Sequence, residues 1–454
     1  MVNAHRTVSF LRKCREHNIN IHTLTVVKNY SPIVRLALRP YERTDRVQLY
    51  SLSKPFTSLA FGILCEQGNI GLDDTLLSVF PEYERYVRDD RKKHVTFRNL
   101  LTMSSGHGKC HMGELYGEAD VLKAYFSFPA ERDPGSEFLY STSATMMVAA
   151  AVERLTRQPL NEWLYPRLFR PLGISEIPEW DTVGGICQGG TGLRLCADEL
   201  ERFAALLAGR GSYCGQQIIP RDYFEAATAN QIDTAPMHAA HDWNAGYGYQ
   251  FWQNDGGGFR GDGAYGQLCV VFPGGGNYFV VTAEAGDMQL ELDFCRELFY
   301  SLEQIPLSDS ESEVIASEIY EPVRSAETLR FERTYLSDIY GRVKLRCDND
   351  LFEIMFGDER FAAGNGYYVY SEPMLTDCSV HIFPEAVAGK RRVRARSCFE
   401  VCSGVVTATL RSTDTPHTLS MVYDINDDSV ITLSTATASI GKGSVIKLDK
   451  PISR

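Results

Sequence analysis

No run of apolar residues in this sequence is long enough to cross a bilayer. Nor does the start, MVNAHRTVSFLRKCREHNIN, offer a secretory leader, because Arg, Lys and Glu stand where an apolar core belongs. A cytoplasmic protein with no membrane partner is the resulting expectation. Basic charge is also short: 46 Lys and Arg face 58 Asp and Glu, a net charge of −12. Nucleic-acid binding needs a basic footprint, so nucleic acid is excluded as a partner. The 12 cysteines, Cys14 to Cys402, lack paired spacing. With no CxxC and no His pair at zinc-finger distance they read as free, mostly buried thiols. Cys398 and Cys402 share a strand face, which ordinary packing explains. There is no G-x-S-x-G elbow, no H-E-x-x-H, no P-loop and no G-x-G-x-x-G after a strand. His107, His111, His238 and His241 match no zinc pattern and read as loop or rim residues that could line a cleft. No metal and no cofactor is expected.

What is present describes a folded chain of more than one core. At 454 residues it exceeds one ordinary domain, and 44% hydrophobic with 23% charged residues is a globular mix. INIHTLTVV and PIVRLALR, joined at Asn29-Tyr30-Ser31, read as a hairpin. Ser51 to about Gln67 reads as a helix, with Pro55 tolerated in its first turn and Gly68 as its stop. Helical patterns follow at RNLLTM, ADVLKAYFSF, SATMMVAAAVERLT and CADELERFAALLAG. After about residue 245, GYGYQFW, QLCVVFP and NYFVVTAEA read as strands with glycine turns, and DMQLELDFCRELFYSLE as an amphipathic helix. One antiparallel sheet built from both ends of residues 1–305 is expected. The acidic stretch IPLSDSESEVIASE reads as a linker, residues 306–324. Residues 325–454 are strand-like throughout, a small all-β barrel or sandwich with its own core. Its basic run, Lys390-Arg391-Arg392 with Arg394 and Arg396, reads as a solvated strand face.

The stretch LYSLSKPFTSLA, residues 49–60, carries chemistry. Residues three apart share a helix face, so Lys54 can touch Ser51. A desolvated amine can take the proton that a serine must lose to become a nucleophile. The backbone N–H of Ser51, free at a helix start, can donate to a developing oxyanion. Alone, S-x-x-K is common and usually a surface cap with a solvated lysine. Here Phe56, Leu59, Ala60, Ile63 and Leu64 place it against a core.

The segment YSLSKPFTSLAFGILCEQGNIGLDD resembles the active-site region of the serine β-lactamase and penicillin-binding-protein superfamily, in the class C-like branch that also holds esterases and nylon-oligomer hydrolases. Four further stretches resemble that family in order: LLTMSSGH, PGSEFLYSTSATMMVAAAVERLT, GGTGLRLCADELERFAALL and FRGDGAYGQLCVVFP. The resemblance implies an α+β fold, an antiparallel sheet flanked by helices with an all-helical insertion, here followed by the all-β domain. It implies an acyl-enzyme on Ser51 with Lys54 and Tyr140 as proton carriers, the base in acylation being open between them. It implies oxyanion donors at Ser51 and Ala264, and substrate contacts at Thr142, Gly261, Asp262 and Gly263.

Two departures set limits. The second motif is Tyr140-Ser141-Thr142, with Thr for the β-lactamase Asn. The third is Gly261-Asp262-Gly263, where β-lactamases carry Lys-Thr-Gly. A negative Asp262 at that place would repel a substrate carboxylate, unless its side chain points away along the strand. The expected activity is hydrolysis of small neutral or cationic esters or amides. The alternative is a catalytically weak sensor or scaffold that kept the fold; intact Ser51, Lys54 and Tyr140 weigh against it.

Overall fold

The computed structural model describes residues 2–237, 239–320, 322–337, 341–356, 358–372, 374–375, 391–392, 394–427, 430–435 and 444–447. Helix α1 (Val2–Glu16) leads into strands β1 (Ile19–Lys28) and β2 (Ser31–Ala37). Their two-residue turn puts Asn29 and Tyr30 at φ +50° and +62°. Paired left-handed residues match the right-handed twist of a hairpin. The helical region includes α2 (Lys54–Glu66), α3 (Thr142–Thr156) and α4 (Ala197–Ala208). Four strands return at β3 (Trp252–Gln253), β4 (Phe259–Gly263), β5 (Gln267–Val271) and β6 (Tyr278–Ala285). The antiparallel sheet runs β2-β1-β6-β5-β4-β3. Its centre pairs the two ends of the segment, Leu24 opposite Val281.

GYGYQFW was expected as a full strand, yet only its last residue, Trp252, joins the sheet, together with Gln253, while Tyr247 makes isolated bridges to Ile232 and Trp252. Gln250 breaks the extended path at φ +68°, and its side chain is taken by the helical region. Thr145 Oγ1 donates to Gln250 Oε1 at 2.7 Å, and Gln250 Nε2 donates to Leu101 O at 2.8 Å. One sheet face packs Leu24, Leu36 and Phe279 against Phe10 and Leu11 of α1 and against Leu292 and Leu298 of α5 (Met288–Ser301). On the other side lies the larger core, with Phe56 stacked on Phe203.

The stretch 306–324 is not an extended linker. It holds helix α6 (Asp309–Tyr320), which packs on α1 and β2 and buries Ile315. Ser308 caps it: Glu311 N donates to Ser308 Oγ at 3.2 Å, and Ser308 N donates back to Glu311 Oε2 at 3.0 Å. The serines and acids that suggested a loop are those of a capping box. Among the described residues no helix is long and apolar enough to cross a membrane.

Among the described residues the C-terminal domain is built on one large sheet whose main path follows chain order: β7 (Phe331–Ser337), β8 (Gly341–Cys347), β9 (Leu351–Phe356), β10 (Glu359–Asn365), β11 (Ala395–Cys402), β12 (Val405–Ser412), β13 (Thr418–Asp424), β14 (Val430–Thr435) and β15 (Ser444–Lys447); Val369–Ser371 pairs with β11 off that path, and Met374–Leu375 forms a separate pair with Arg391–Arg392. It curls until Tyr335 of β7 meets Tyr423 of β13, hydroxyl to hydroxyl at 2.7 Å. That matches the barrel expectation better than two stacked sheets. The basic run is not uniformly solvated. Arg396 donates to Pro40 O at 2.9 Å and to Asp45 Oδ1 at 3.1 Å, across the domain boundary. Lys390 lies outside the described residues.

Glu291 of α5 is wholly buried, and neither carboxyl oxygen finds a donor among the described residues. It lies against Gly266, where an added Cβ would sit 2.5 Å from Glu291 Oε2. Burial pushes its carboxyl up to about 8. The folded state then holds a proton that the unfolded chain releases near ~4.3. Stability from this group is therefore full at acid pH and is lost as pH rises toward 8. The loss between pH 5 and pH 9 is on the order of 4 kcal/mol. Glu291→Gln should flatten that slope. Urea unfolding midpoints of both proteins at the two pH values check it; parallel slopes would mean that Glu291 is ionised throughout.

Candidate active site

Ser51 and Lys54 meet through a tighter turn than expected. The predicted helix start at Ser51 is a 3₁₀ turn, Tyr50–Ser53, and the α-helix begins at Lys54. Lys54 N donates to Ser51 O, closing the i to i+3 ring. Side chains three apart eclipse in a 3₁₀ turn, so this geometry sets Ser51 and Lys54 side by side. Lys54 is 1% exposed although it is a lysine. Its Nζ lies 3.0 Å from Ser51 Oγ, 3.1 Å from Thr142 Oγ1 and 2.9 Å from Gly190 O. The Tyr140 ring centroid is 4.7 Å from the same nitrogen. Ser51, Tyr140 and Thr142 remain partly open to solvent.

Tyr140 precedes the N-cap of α3: Ala144 N donates to Ser141 Oγ at 3.4 Å. Its ring stacks on Trp252, centroids 5.4 Å apart, with Tyr247 edge-on. Thr142, expected to contact substrate, is partly open to solvent, and its hydroxyl also meets Lys54. Gly190 and Trp252 escaped the sequence reading. The doubled glycine of QGGTG was the available sign for the first. An added Cβ on Gly190 would lie 2.9 Å from Thr142 Cγ2, so only glycine lets that carbonyl approach the lysine.

The third motif differs most from expectation. Gly261 and Gly263 face the nucleophile segment, not open space. An added Cβ on Gly261 would lie 2.6 Å from Leu52 Cδ1, and one on Gly263 2.0 Å from Leu49 O. They serve close approach of strand β4 to that segment, which a plain turn would not require. Asp262 points to the other strand face, where Arg260 Nε donates to its Oδ2 at 3.0 Å. Of the two readings left open for Asp262, this is the side chain that points away, and it is paired with Arg260. Burial raises the Asp262 carboxyl, while Arg260 and, more weakly, Lys54 oppose the rise. Arg260 is itself wholly buried; it donates to Gln253 O at 2.7 Å and lies over the Trp243 ring at 4.8 Å. Ala264 begins the turn after β4, followed by Tyr265 and Gly266 at φ +65° and +92°.

The histidines do not converge here. His107 and His111 are buried rather than at a rim: His107 Nδ1 lies 3.1 Å from Ser105 Oγ, and His111 stacks on Phe128 at 4.0 Å. Burial lowers both, His107 to about 3. His241 is exposed beside Asp242 and Asp293, but Arg296 donates to both Asp242 oxygens, at 3.1 and 2.6 Å, and answers that charge. His238 lies outside the described residues.

The family model described as Beta-lactamase matches residues 15–289, more than half of the chain. The chain belongs to the β-lactamase family. Esterase EstB of Burkholderia gladioli is 29% identical over 159 residues, 31% of this chain and 40% of that protein. A putative D-alanyl-D-alanine carboxypeptidase of Escherichia coli is 27% identical over 146 residues, 30% of this chain and 32% of that protein. These matches span 40% or less of the curated relatives' length. Among solved structures, a putative 6-aminohexanoate-dimer hydrolase from Bacillus anthracis superposes with TM-score 0.54 at 21% identity, covering 65% of this chain and 82% of that one. A penicillin-binding protein homologue from Pyrococcus abyssi superposes with TM-score 0.53 at 15% identity over 98% of this chain and 100% of that one. That likeness in fold extends through both domains. The family therefore places the chain among β-lactamase-fold hydrolases with esterase and carboxypeptidase relatives.

Proposed function

We propose that this β-lactamase-family protein is a serine hydrolase that cleaves small esters or amides through an acyl-enzyme on Ser51. The observation that carries it is a buried lysine amine 3.0 Å from a partly exposed serine hydroxyl. Ser51 Oγ attacks the substrate carbonyl and its proton passes to the Lys54 amine. Gly190 O and Thr142 Oγ1 can accept the two remaining N–H groups, which aims the lone pair at Ser51. The backbone N–H groups of Ser51 and Ala264 receive the oxyanion, roughly 3–4 kcal/mol being lost when one such donor is removed. The tetrahedral adduct collapses and the leaving alcohol or amine takes a proton relayed through Lys54 and Tyr140. Water then adds to the acyl carbonyl and gives its proton to the same pair, which returns it to Ser51 Oγ as the adduct collapses and the acid leaves.

Substrate charge follows from the third motif. Gly261 and Gly263 offer no side chain, and the donors of Arg260 are spent on Asp262 and backbone carbonyls. Among the described residues, this motif offers no uncommitted cation to hold the carboxylate of a penicillin or of a peptide C-terminus. Neutral or cationic acyl compounds are the substrates this suits. A fluorophosphonate should label Ser51, as peptide mass mapping will report, and kcat/KM for 4-nitrophenyl butyrate should exceed that for a chromogenic cephalosporin. Label on another residue, or none, sinks the nucleophile assignment; a better cephalosporin sinks the reading of the third motif.

A further inference from the structure

The β domain meets the hydrolase domain at the segment that bears Ser51. His417, just before β13, is wholly buried, and its Nε2 lies 2.8 Å from the Tyr50 hydroxyl. Tyr50 immediately precedes Ser51 and is held at φ +49°. Tyr265 immediately follows Ala264, and its φ is +65°. Residues with side chains hold that conformation only where surrounding contacts over-determine it. Here the contacts are shared. The Tyr265 ring stands edge-on to Tyr50, centroids 5.1 Å apart, and edge-on to His417 at 4.7 Å. Each backbone N–H assigned to the oxyanion hole thus adjoins a left-handed tyrosine, and one histidine from the other domain touches both.

His417 is itself braced from both domains. Its Nδ1 lies 3.9 Å from Glu284 Oε1, and Thr418 N donates to Glu284 Oε2 at 3.1 Å. Glu284 is a buried residue of β6, and the next residue, Ala285, donates its N–H to Tyr265 O at 3.0 Å. Five residues before His417, Ser412 Oγ donates to Asp414 Oδ1 at 2.8 Å and accepts from Thr415 N at 3.1 Å. Gln48 N donates to Asp414 O at 3.0 Å, just upstream of Tyr50. The β domain enters the wall behind the nucleophile as a set of fixed polar contacts.

We infer that His417 is a positioning residue for acyl transfer. Through Tyr50 and Tyr265 it holds the Ser51 and Ala264 N–H groups where the oxyanion forms, so the β domain is part of the active site. This rests on the reading of Ser51 as nucleophile.

The test uses the full chain, three single variants, His417→Leu, His417→Gln and Tyr50→Phe, and the Tyr50→Phe/His417→Leu double variant. Two quantities are read: the rate of fluorophosphonate labelling at Ser51, and kcat and KM for 4-nitrophenyl butyrate. His417→Leu and Tyr50→Phe should slow labelling and lower kcat by about 10-fold or more, with ~10²-fold the scale for a small misplacement at a reacting centre. KM should change little. His417→Gln, whose amide can still donate to the Tyr50 hydroxyl, should recover most of the loss. The Tyr50→Phe/His417→Leu double variant should be no slower than the worse single one, because both remove one link. Wild-type labelling in a His417→Leu protein with native circular dichroism overturns the inference, as does a Gln variant as slow as Leu. If His417→Leu fails to fold, Tyr50→Phe decides: it deletes a single hydroxyl, and a wild-type rate there overturns the inference. A wild-type protein that takes no label at Ser51 overturns the hydrolase reading and the role of His417 with it. A labelled wild type with unaffected variants overturns the role of His417 alone.

Discussion

Lys54→Arg should lower ester hydrolysis by about 10²-fold or more while the circular dichroism spectrum stays native, the usual scale for losing a general base. The substitution supplies a permanent positive charge without a basic nitrogen, so it separates charge from basicity. A guanidinium does not give up its proton in a protein, and it carries no lone pair to accept one from Ser51. Geometry adds to the loss. Lys54 Nζ sits among Ser51 Oγ, Thr142 Oγ1 and Gly190 O at 2.9 to 3.1 Å, with the Tyr140 ring as a fourth wall. A flat group of three nitrogens cannot occupy that point without moving one of the walls. Steady-state rates with 4-nitrophenyl butyrate check the outcome. Turnover within a few-fold of wild type would move the base elsewhere, with Tyr140 the remaining candidate.

Arg260→Leu should cost about 3–5 kcal/mol of stability, the range for removing one partner of a buried ion pair. Arg260 has no exposed surface and stands between Asp262, whose Oδ2 accepts from Nε at 3.0 Å, and Asp242, whose Oδ1 lies 3.8 Å from Nη1. Its plane also covers Trp243 and approaches Trp252. Removing the guanidinium leaves the buried Asp262 carboxylate without its cation, a few residues from Lys54 in space. Asp242 keeps Arg296 and suffers less. Replacing both members, Arg260→Leu with Asp262→Leu, should restore much of the loss, since a buried pair often trades evenly for apolar side chains. Urea denaturation of the single and double variants measures this. A single variant within 1 kcal/mol of wild type would mean that Asp262 simply takes up a proton.

Legibility in the sequence followed distance along the chain. Ser51 and Lys54 are neighbours in sequence, so their meeting could be read from spacing. The 3₁₀ form of that turn could not, because the contacts at its first residue, Tyr50, come from His417 and Tyr265, far away in sequence. Gly190 acts through its carbonyl oxygen, which every residue type possesses, so nothing but the doubled glycine pointed to it. The partner of Asp262 was missed, although Arg260 stands two residues away on the same strand face. Alternation along β4 was enough to pair them. The two sheets were legible from strand patterns and glycine turns, whereas α6 was hidden by composition. Serines and acids suggest a loop until the Ser308 to Glu311 spacing is read as a cap. Domain contacts such as Arg396 to Asp45 join residues about 350 positions apart, and a charge run carries no sign of its partner.

The central pairing of β1 with β6 also governs the order in which this protein can come into being. Strand β1 emerges from the ribosome early, with β2 satisfying one of its edges. Its other edge waits for β6, which begins about 250 residues later. At translation speeds of roughly 5–20 residues per second, that edge stays open for roughly 10–50 s. β1 reads INIHTLTVVK, rich in β-branched residues, with no acid and a single lysine at its end. Such a strand is a template for pairing with another chain while it waits. That edge therefore stays open for longer than it would in a sheet of local hairpins. Sequence-distant closure of this kind also slows refolding from denaturant.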